Sequence, residues 1–519
     1  MKTKRISLYG ICRTALLILS VLTLLFLLTL NFFYLAEVSY NASEKVTILT
    51  HTLPSLVMLL LAAAVTVLLG LLAPLTDRLR EHWVFLFFSA AYVLMAIYLL
   101  LNVDLGIRAD AWLTFDSALD IKNGDFATLE PGGYIHRYPN QIGLMFYDSI
   151  LLRFAENTAV FFLANLAFVL GINLLMRAIA ATLFSSHRVN LIAILLSFLF
   201  FPQFFFILFA YGLIPGFFFM MLAFYHAVRF SKRHKIRNAV GAVLGAAAAA
   251  TLKQNFLIGA IAIGIFLLLE FLREKGLRRL YPLIATVCIA AVLLLPTKLI
   301  TAGYEAKTGA SLDEGTPALA WVVMGTDIDN SYLGPGWYSG YNYSIYTQAG
   351  YRTEEAAELA REGLERNVEK IRKDPQRAAE FFLAKTVSQW CEPMFQSVWS
   401  GPLADCYQEA HTPLLQSLYT GGEVEDHFET FAKAILLTVL AASTVGLIAA
   451  RRHRGWELFV MFLIGGLLFH TVWEGKSQYI YPYIFVLIPL AAYGIAVSGG
   501  RIAGWIKAIA ERRIPHGKQ

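Results

Sequence analysis

The sequence predicts an all-α polytopic membrane protein with about twelve transmembrane helices and two extracytoplasmic loop regions. Of the 519 residues, 57% are hydrophobic and only 15% are charged, against roughly 25% charged in an average soluble protein. The mean hydropathy is +0.57, and a soluble core of this size could not bury so much apolar side chain. The net charge of +6 does not indicate nucleic acid, because membrane proteins concentrate Lys and Arg on their cytoplasmic side.

Each predicted span is a run of about 20 mostly apolar residues. The runs lie near 13–36, 52–74, 83–103, 158–182, 190–209, 212–229, 238–252, 255–272, 280–300, 431–450, 456–473 and 479–500.

The stretch 238–272 decides the orientation of the chain. It is flanked by basic clusters at 229–237 and 273–279, and the positive-inside rule places both clusters in the cytoplasm. The stretch is therefore two spans that meet at an outer turn containing Lys253. The same parity places both termini in the cytoplasm of a multi-pass cell-membrane protein, with the first span a retained signal anchor.

This topology divides the chain into five parts. They are an amino-terminal three-span segment (1–103), a first outer loop with an acidic motif (104–157), a six-span core (158–300), a large and partly helical outer loop (301–430), and three carboxy-terminal spans with a basic cytoplasmic tail (431–519). The predicted cytoplasmic loops are short and basic and carry no phosphate-binding glycine loop, which disfavours nucleotide-driven chemistry there.

The first outer loop begins with a predicted amphipathic helix over 110–122 that ends at Asn123-Gly124. Asp116 and Asp120 are i,i+4 neighbours on it, and like charges at that spacing repel unless they are solvated or near a cation. A solvated helix face explains such aspartates equally well. Asp110 differs because it begins the helix at the bilayer surface, where a carboxylate can act as a general base on a lipid-borne substrate.

A turn rich in polar and aromatic side chains follows in the same loop. His136, Arg137 and Tyr138 lie between Gly132-Gly133 and Pro139, which predicts a shaped turn. Arg suits phosphate and Tyr suits sugar faces. An interfacial aromatic belt with one snorkelling Arg is the alternative.

The large outer loop has a glycine- and aromatic-rich stretch that includes Trp337 and Tyr338. This composition fits a binding loop or an irregular packed cap. A charged run over 353–373 predicts a solvated helix, and Asp374-Pro375 predicts the cap and first residue of the next helix.

Two short outer turns place lysines at the membrane edge. Glu474, Lys476 and Tyr479 lie between the last two predicted spans, and Lys253 lies in the turn described above. These lysines either anchor helix ends or bind a lipid phosphate.

The four cysteines and the acidic residues leave two questions open. Cys391 and Cys406 share the large outer loop, where either a disulfide or two unpaired thiols is compatible with an oxidising compartment. No acidic pair has a spacing specific to a metal site.

Several of these segments together resemble the GT-C superfamily of membrane glycosyltransferases, specifically the family 39-like proteins of Gram-positive bacteria. The resemblance rests on the segments Ala109-Asp110-Ala111, Tyr138-Pro139-Asn140-Gln141, Gly336-Trp337-Tyr338-Ser339-Gly340-Tyr341, Asp374-Pro375 through Gln389-Trp390-Cys391-Glu392-Pro393, and Glu474-Gly475-Lys476-Ser477-Gln478-Tyr479.

The resemblance implies an inverting transfer of a sugar from a polyprenyl-phosphate donor to an acceptor on the outer face. Asp110 is the first candidate for the general base and Asp116 the second. The candidates for substrate binding are His136, Arg137, Tyr138, Lys253, Trp337, Tyr338, Glu474, Lys476 and Tyr479. The expected partners are the lipid-linked donor, membrane lipid and a glycan, protein or lipid acceptor. No cofactor is certain, and a divalent cation stays open.

Two other functions fit the same topology. A transporter or flippase of lipid-linked or polar solutes would place ionisable or helix-breaking residues near the bilayer midplane and often has two related halves. A polymerase or ligase of lipid-linked glycans shares the large outer loop.

Overall fold

The computed structural model describes residues 7–39, 41, 43–312 and 315–513. The amino-terminal part contains α1 (Leu8–Phe33), β1 (Tyr34–Val38), β2 (Val46–Thr50), α2 (Thr52–Leu71), α3 (Ala73–Thr76) and α4 (Glu81–Leu101). The first predicted outer loop contains α5 (Ala109–Asn123), α6 (Tyr134–Arg137) and α7 (Ile142–Leu151).

The remaining elements are also helical. The central part contains α8 (Ala159–Phe184), α9 (His187–Leu199), α10 (Pro202–Phe205), α11 (Leu213–Arg233), α12 (Ile236–Leu252), α13 (Leu257–Arg273), α14 (Leu280–Val292) and α15 (Leu295–Thr308). The large loop contains α16 (Leu319–Thr326), α17 (Tyr341–Gln348), α18 (Thr353–Lys373), α19 (Pro375–Trp390) and α20 (Pro413–Tyr419). The last part contains α21 (Glu423–Ala449), α22 (Trp456–Val472), α23 (Tyr481–Phe485) and α24 (Ile488–Arg513).

Long apolar helices confirm the predicted class. Within the described ranges, eight helices are long and apolar enough to cross a membrane, or up to ten if each of two bent helix pairs is one span. Two shorter apolar helices, α12 and α22, coincide with further predicted spans. The chain is therefore an all-α polytopic membrane protein, while the count of twelve spans stays a prediction.

Two predicted spans are bent rather than straight. The run 190–209 bends by 53° between α9 and α10, and the run 479–500 bends by 49° between α23 and α24. Pro202 begins α10, and Pro489 is the second residue of α24. Proline lacks a donor and restricts the residue before it, so each helix ends before its proline.

The predicted end of the first span, at residue 36, is wrong, because α1 ends at Phe33. Residues 34–36 begin a strand, and β1 pairs antiparallel with β2 from Tyr34↔Thr50 to Val38↔Val46. The hairpin is held by the large loop, because the Val46 N–H donates to the Leu333 carbonyl at 2.7 Å. Apolar residues continue across the helix end here, which is why composition alone extended the span.

The predicted loop helices are present. α5 ends at Gly124, whose φ of 89° is the left-handed conformation of a glycine cap. α18 covers 353–373, and the Asp374 side chain accepts from the Arg377 N–H to cap α19. On α5, Phe115 and Ala118 are buried, whereas Trp112 is exposed.

Ion pairs join the helix ends on one side of the bundle, which we name the basic end. Arg13 pairs with Glu457 at 2.6 Å, and Arg454 pairs with Glu270 at 2.8 Å. Arg188 pairs with Asp77 in the same group of loops. These are the loops that the positive-inside rule assigns to the cytoplasm, and that orientation stays a prediction.

The helices pack closely where glycines meet carbonyl oxygens. A Cβ on Gly446 of α21 would lie 1.9 Å from the Leu490 oxygen, and one on Gly494 of α24 would lie 2.0 Å from the Ala442 oxygen. Small residues allow such close backbone approach in membrane helices. α21 and α24 therefore pack with their backbones in close approach.

Candidate functional site

A cavity of about 1560 Å³ opens at the loop-bearing end of the bundle, which we name the cavity end. Its walls come from both outer loop regions, the turn between α12 and α13, the helix α15, and the segment between α22 and α23. It contains seven of the residues predicted to form the site, namely Asp110, Tyr138, Lys253, Tyr338, Glu474, Lys476 and Tyr479.

A sharp backbone turn presents Asp110 to this cavity. Ala109 has a φ of 53°, a left-handed conformation that costs a non-glycine residue about 1–3 kcal/mol and persists where the surroundings impose it. The preceding residue, Arg108, is held by the large loop, because its Nε donates to the Gly401 oxygen at 3.2 Å. Its guanidinium also lies 4.0 Å from the centre of the Trp399 ring. α5 consequently begins with an exposed carboxylate in its first turn.

The contacts of Asp110 are with a phenol rather than a cation. The Tyr211 hydroxyl donates to its Oδ2 at 3.3 Å, and Gln141 Nε2 donates to the same hydroxyl at 2.8 Å. The Tyr134 hydroxyl lies 3.2 Å from that of Tyr211. No ion pair of Asp110 occurs within the described part of the chain. Its carboxylate therefore keeps the capacity to accept a hydrogen bond from a ligand.

Lys253 lies in the turn between α12 and α13, as predicted. Its Nζ donates to the main-chain carbonyl oxygen of Tyr211 at 3.3 Å. The same Nζ lies 4.2 Å from the centre of the Tyr211 ring and 5.9 Å from the centre of the Tyr479 ring. Burial lowers the pKa of Lys253 to about 7, although Asp110 and Glu474 oppose the shift. Aromatic faces and a carbonyl neutralise an ammonium only partly, so Lys253 can bind an anion.

Lys476 has an ion-pair partner, whereas Lys253 has none within the residues that the structure describes. Its Nζ lies 2.9 Å from a carboxylate oxygen of Glu44 and 5.6 Å from the centre of the Trp399 ring. Burial lowers the pKa of Lys476, but the carboxylates of Glu44 and Glu474 outweigh that effect and raise it. Lys476 therefore stays charged at the cavity wall.

Glu474 is the buried acid of the site, with 4% of its surface exposed. Burial raises its pKa to about 7, while Lys476 lowers it. Its protonation consequently changes near neutral pH, and a bound cation or anion would shift it further.

Aromatic side chains form one continuous wall of the cavity. Ring centres are separated by 5.3 Å from Tyr134 to Tyr138, 6.0 Å from Tyr138 to Trp321, 5.8 Å from Trp321 to Trp473, and 4.9 Å from Trp473 to Phe469. The wall runs from the surroundings of Asp110 towards apolar lining residues of α13, namely Leu257, Ile258 and Ile261. The cavity is thus polar at one end and apolar at the other.

Four of the predicted site residues lie outside the cavity lining. Asp116 is half-buried on α5, and His136 is buried with Nδ1 at 3.3 Å from the Tyr346 hydroxyl. Arg137 donates to the Gly132 oxygen at 2.9 Å. Trp337 is fully buried and its indole N–H donates to the Ser388 hydroxyl at 2.9 Å. These contacts hold loops together, and their roles in catalysis or binding stay predictions.

Four residues of the site were missed by the sequence reasoning. Glu44 comes from the hairpin turn, Arg108 precedes the acidic motif, and Tyr211 and Trp399 come from distant segments. Arg108 alone had a signal, since it is a lone arginine two positions before the proposed base. The others are brought in by tertiary packing and carry no local pattern.

The open questions on cysteine and metal have partial answers. Cys391 and Cys406 are both free cysteines, so the disulfide alternative is wrong for this structure. In the part of the chain that the structure describes, no group of three or more His, Cys, Asp or Glu side chains is placed to hold a metal ion. Metal use itself stays open.

Comparison with known proteins does not assign a family. No protein-family model matches the chain, and no curated protein matches its sequence.

Proposed function

We propose that the protein is a membrane glycosyltransferase that transfers a sugar, with inversion, from a polyprenyl-phosphate donor to an acceptor hydroxyl. One observation carries the proposal: a single amphipathic cavity holds an exposed carboxylate, Asp110, beside the half-buried Lys253 and Lys476. A sugar joined to a lipid phosphate has this combination of properties. Its isoprenoid chain suits the apolar end of the cavity, and its phosphate suits the lysines.

The chemistry follows from the positions of these groups. Asp110 removes the proton of the acceptor hydroxyl as the oxygen attacks the anomeric carbon. The bond from that carbon to the phosphate oxygen breaks, and its electron pair leaves with the polyprenyl phosphate. Lys253 and Lys476 stabilise the charge on the leaving phosphate. Attack from the face opposite the phosphate inverts the anomeric configuration, and Asp110 afterwards releases its proton to water.

The test compares two aspartates of the same helix. We expect Asp110→Asn to lower donor turnover by at least about 100-fold, the usual contribution of a general base. Asp116→Asn is the matched control, because Asp116 lies on α5 but outside the cavity lining. Turnover is measured as release of polyprenyl phosphate from a labelled polyprenyl-phosphate sugar in membranes with equal expression.

The outcomes separate the alternatives. Loss in Asp110→Asn with activity retained in Asp116→Asn supports the proposal. The reverse result would transfer the base to Asp116, and full activity in both variants would reject an aspartate base on α5. Retained stereochemistry in the product would contradict the single displacement.

A transporter or flippase is the second candidate, and the two bent helix pairs favour it. The bends at α9/α10 and α23/α24 resemble the discontinuous helices of transporters. Gln203 is the polar residue nearest the first bend. Its Nε2 donates to Asn173 Oδ1 at 2.8 Å and to the Ser197 carbonyl oxygen, so both donors of this amide have partners within the protein. A proteoliposome assay distinguishes the two: movement of labelled lipid-linked sugar between leaflets, with its sugar–phosphate bond intact, favours the transporter. Product size separates transfer of one sugar from the polymerase or ligase.

A further inference from the structure

Lys385 is buried in the large outer loop, and its ammonium group donates to three main-chain carbonyl oxygens. Only 1% of its surface is exposed. Its Nζ donates to the oxygens of Gly325 at 2.5 Å, Thr471 at 3.0 Å and Trp473 at 2.7 Å. An ammonium has three donors, so each of them has one carbonyl partner.

The three carbonyls belong to two helix ends. Thr471 and Trp473 lie at the carboxyl end of α22, and Gly325 lies in the last turn of α16. The final carbonyls of a helix have no partner within it and carry partial negative charge. A single buried lysine therefore binds the ends of α16 and α22 to α19. The contact is tight, since a Cβ on Gly325 would lie 2.4 Å from the Trp473 oxygen.

The glycine- and tryptophan-rich stretch of the large loop packs on the same lysine. Gly336 has a φ of 70°, and a Cβ there would lie 2.8 Å from Cδ of Lys385. The Gly336 carbonyl accepts from the Gly475 N–H at 2.8 Å. Trp337, next in the chain, bonds to Ser388 one turn after Lys385 on α19. The motif that suggested a binding loop therefore packs against Lys385, α19 and Gly475.

Both peptide groups that flank Glu474 are consequently fixed. The carbonyl before it, that of Trp473, is held by Lys385, and the N–H after it, that of Gly475, is held by Gly336. The Glu474 side chain lines the cavity. We infer that Lys385 is a positioning residue that fixes Glu474, and with it Lys476, in the cavity wall. The effect on turnover rests on the proposed function, whereas the effect on geometry does not.

A second buried lysine provides a matched control. Lys433 of α21 donates to Asn31 Oδ1 at 2.8 Å, the Tyr34 oxygen at 2.8 Å and the Cys391 oxygen at 3.3 Å. None of these four residues is part of the cavity lining. Lys433→Met and Lys385→Met remove the same donors and keep a similar side-chain volume, but only the second removes a contact to a lining residue, Trp473.

The experiment uses the full chain in nanodiscs and two independent readouts. Amide exchange is followed in peptides covering 471–477, with α11 as an internal reference. Donor turnover is followed as kcat and KM per folded molecule. We expect both variants to lower the melting temperature, but only Lys385→Met to raise exchange at 471–477 and to lower kcat, by about 10- to 100-fold, with a smaller change in KM. Lys385→Arg keeps a charged donor and is expected to recover part of kcat.

Each outcome decides the inference. Unchanged exchange at 471–477 in Lys385→Met, or a kcat loss equal to that of Lys433→Met, would overturn it. If the wild-type chain shows no transfer, the proposed function fails and the exchange comparison alone decides the positioning role. If Lys385→Met does not fold, Gly336→Ala displaces the lysine stem and is scored by the same readouts, with unchanged exchange again overturning the inference.

Discussion

The two ends of the helical bundle differ in how their charges are paired. At the basic end, Arg454 bonds to Glu270 and Arg13 bonds to Glu457. At the cavity end, Asp110 and Lys253 have no ion pair within the described residues, and each bonds to Tyr211 instead. Lys476 at the cavity end shares its charge with Glu44, whereas Asp110 and Lys253 keep their full charge for a ligand. The difference separates the end that holds helices together from the end that we expect to bind substrate.

The largest expected effect is on Lys253. Lys253→Met should lower kcat/KM for a polyprenyl-phosphate sugar by about 100-fold, because a half-buried cation beside the leaving phosphate is lost. Its melting temperature should not fall, since methionine avoids the cost of burying a charge. Turnover and thermal unfolding of the same preparation check both statements. A loss of stability that accounts for the loss of activity would assign Lys253 to structure and weaken the contrast between the ends.

Arg454→Met, at the basic end, should lower stability and leave turnover unchanged, which is the opposite of the result expected for Lys253→Met. Glu270 is buried and keeps Arg273 as a second partner at 2.8 Å. We therefore expect a loss of only ~1–3 kcal/mol in the free energy of unfolding. Turnover per folded molecule should match the wild-type value. A selective loss of turnover in this variant would show that the basic end also serves the reaction.

The pH dependence of turnover sharpens the assignment of Lys253. Its pKa lies at about 7, and the charged groups that influence it are Asp110, Lys476 and Glu474. As pH rises through about 7, Lys253 loses its proton, so kcat/KM for the donor should fall on the alkaline side. Lys253→Arg stays charged and should move this decline to higher pH. An identical alkaline limb in the variant would assign the limb to another group.

The smallest expected effect is a gain in stability at Glu474. Its pKa is raised from the ordinary value to about 7 in the folded protein. Protonation of the Glu474 carboxyl therefore stabilises the folded state, and this contribution to the free energy of unfolding is lost as pH rises through about 7. Glu474→Gln should therefore raise the free energy of unfolding by about 1 kcal/mol at about pH 8. The gain should shrink below about pH 7. A variant less stable than wild type at both pH values would show that the carboxylate is favourably paired.

Much of the fold was predictable because apolar length is a local property. The runs for α2, α4 and α8 are long, continuous and close to the observed helices. The loop helices were also predictable, since Gly124 and Asp374-Pro375 are local end signals. The bends at Pro202 and Pro489 were missed, although each proline is visible in the sequence. A run of about 20 apolar residues shows that a segment can span the membrane, but not whether its helix axis changes direction. The β1–β2 hairpin was missed because Leu35 and Ala36 continue the apolar run of α1 into the first strand.

The candidate site was only partly predictable. Asp110, Lys253 and Lys476 stood out as charges at the ends of apolar runs, and the structure brings them to one cavity. Trp337 and His136 had equally suggestive neighbours but are buried in the loop scaffold. Composition cannot distinguish these cases, because an aromatic or polar side chain suits a binding wall and a packed loop equally well.

The sequence alone determined the membrane class, most of the helix positions and the charges available for chemistry, since hydrophobic length and end signals act within a single segment. Tertiary structure decided which charges are paired. Glu44 pairs with Lys476 across more than 400 residues, whereas the direct partners of Lys253 among the described residues are Tyr211 and Tyr479. Such pairings depend on how distant segments pack around one cavity, because an electrostatic interaction requires proximity in space and not in sequence.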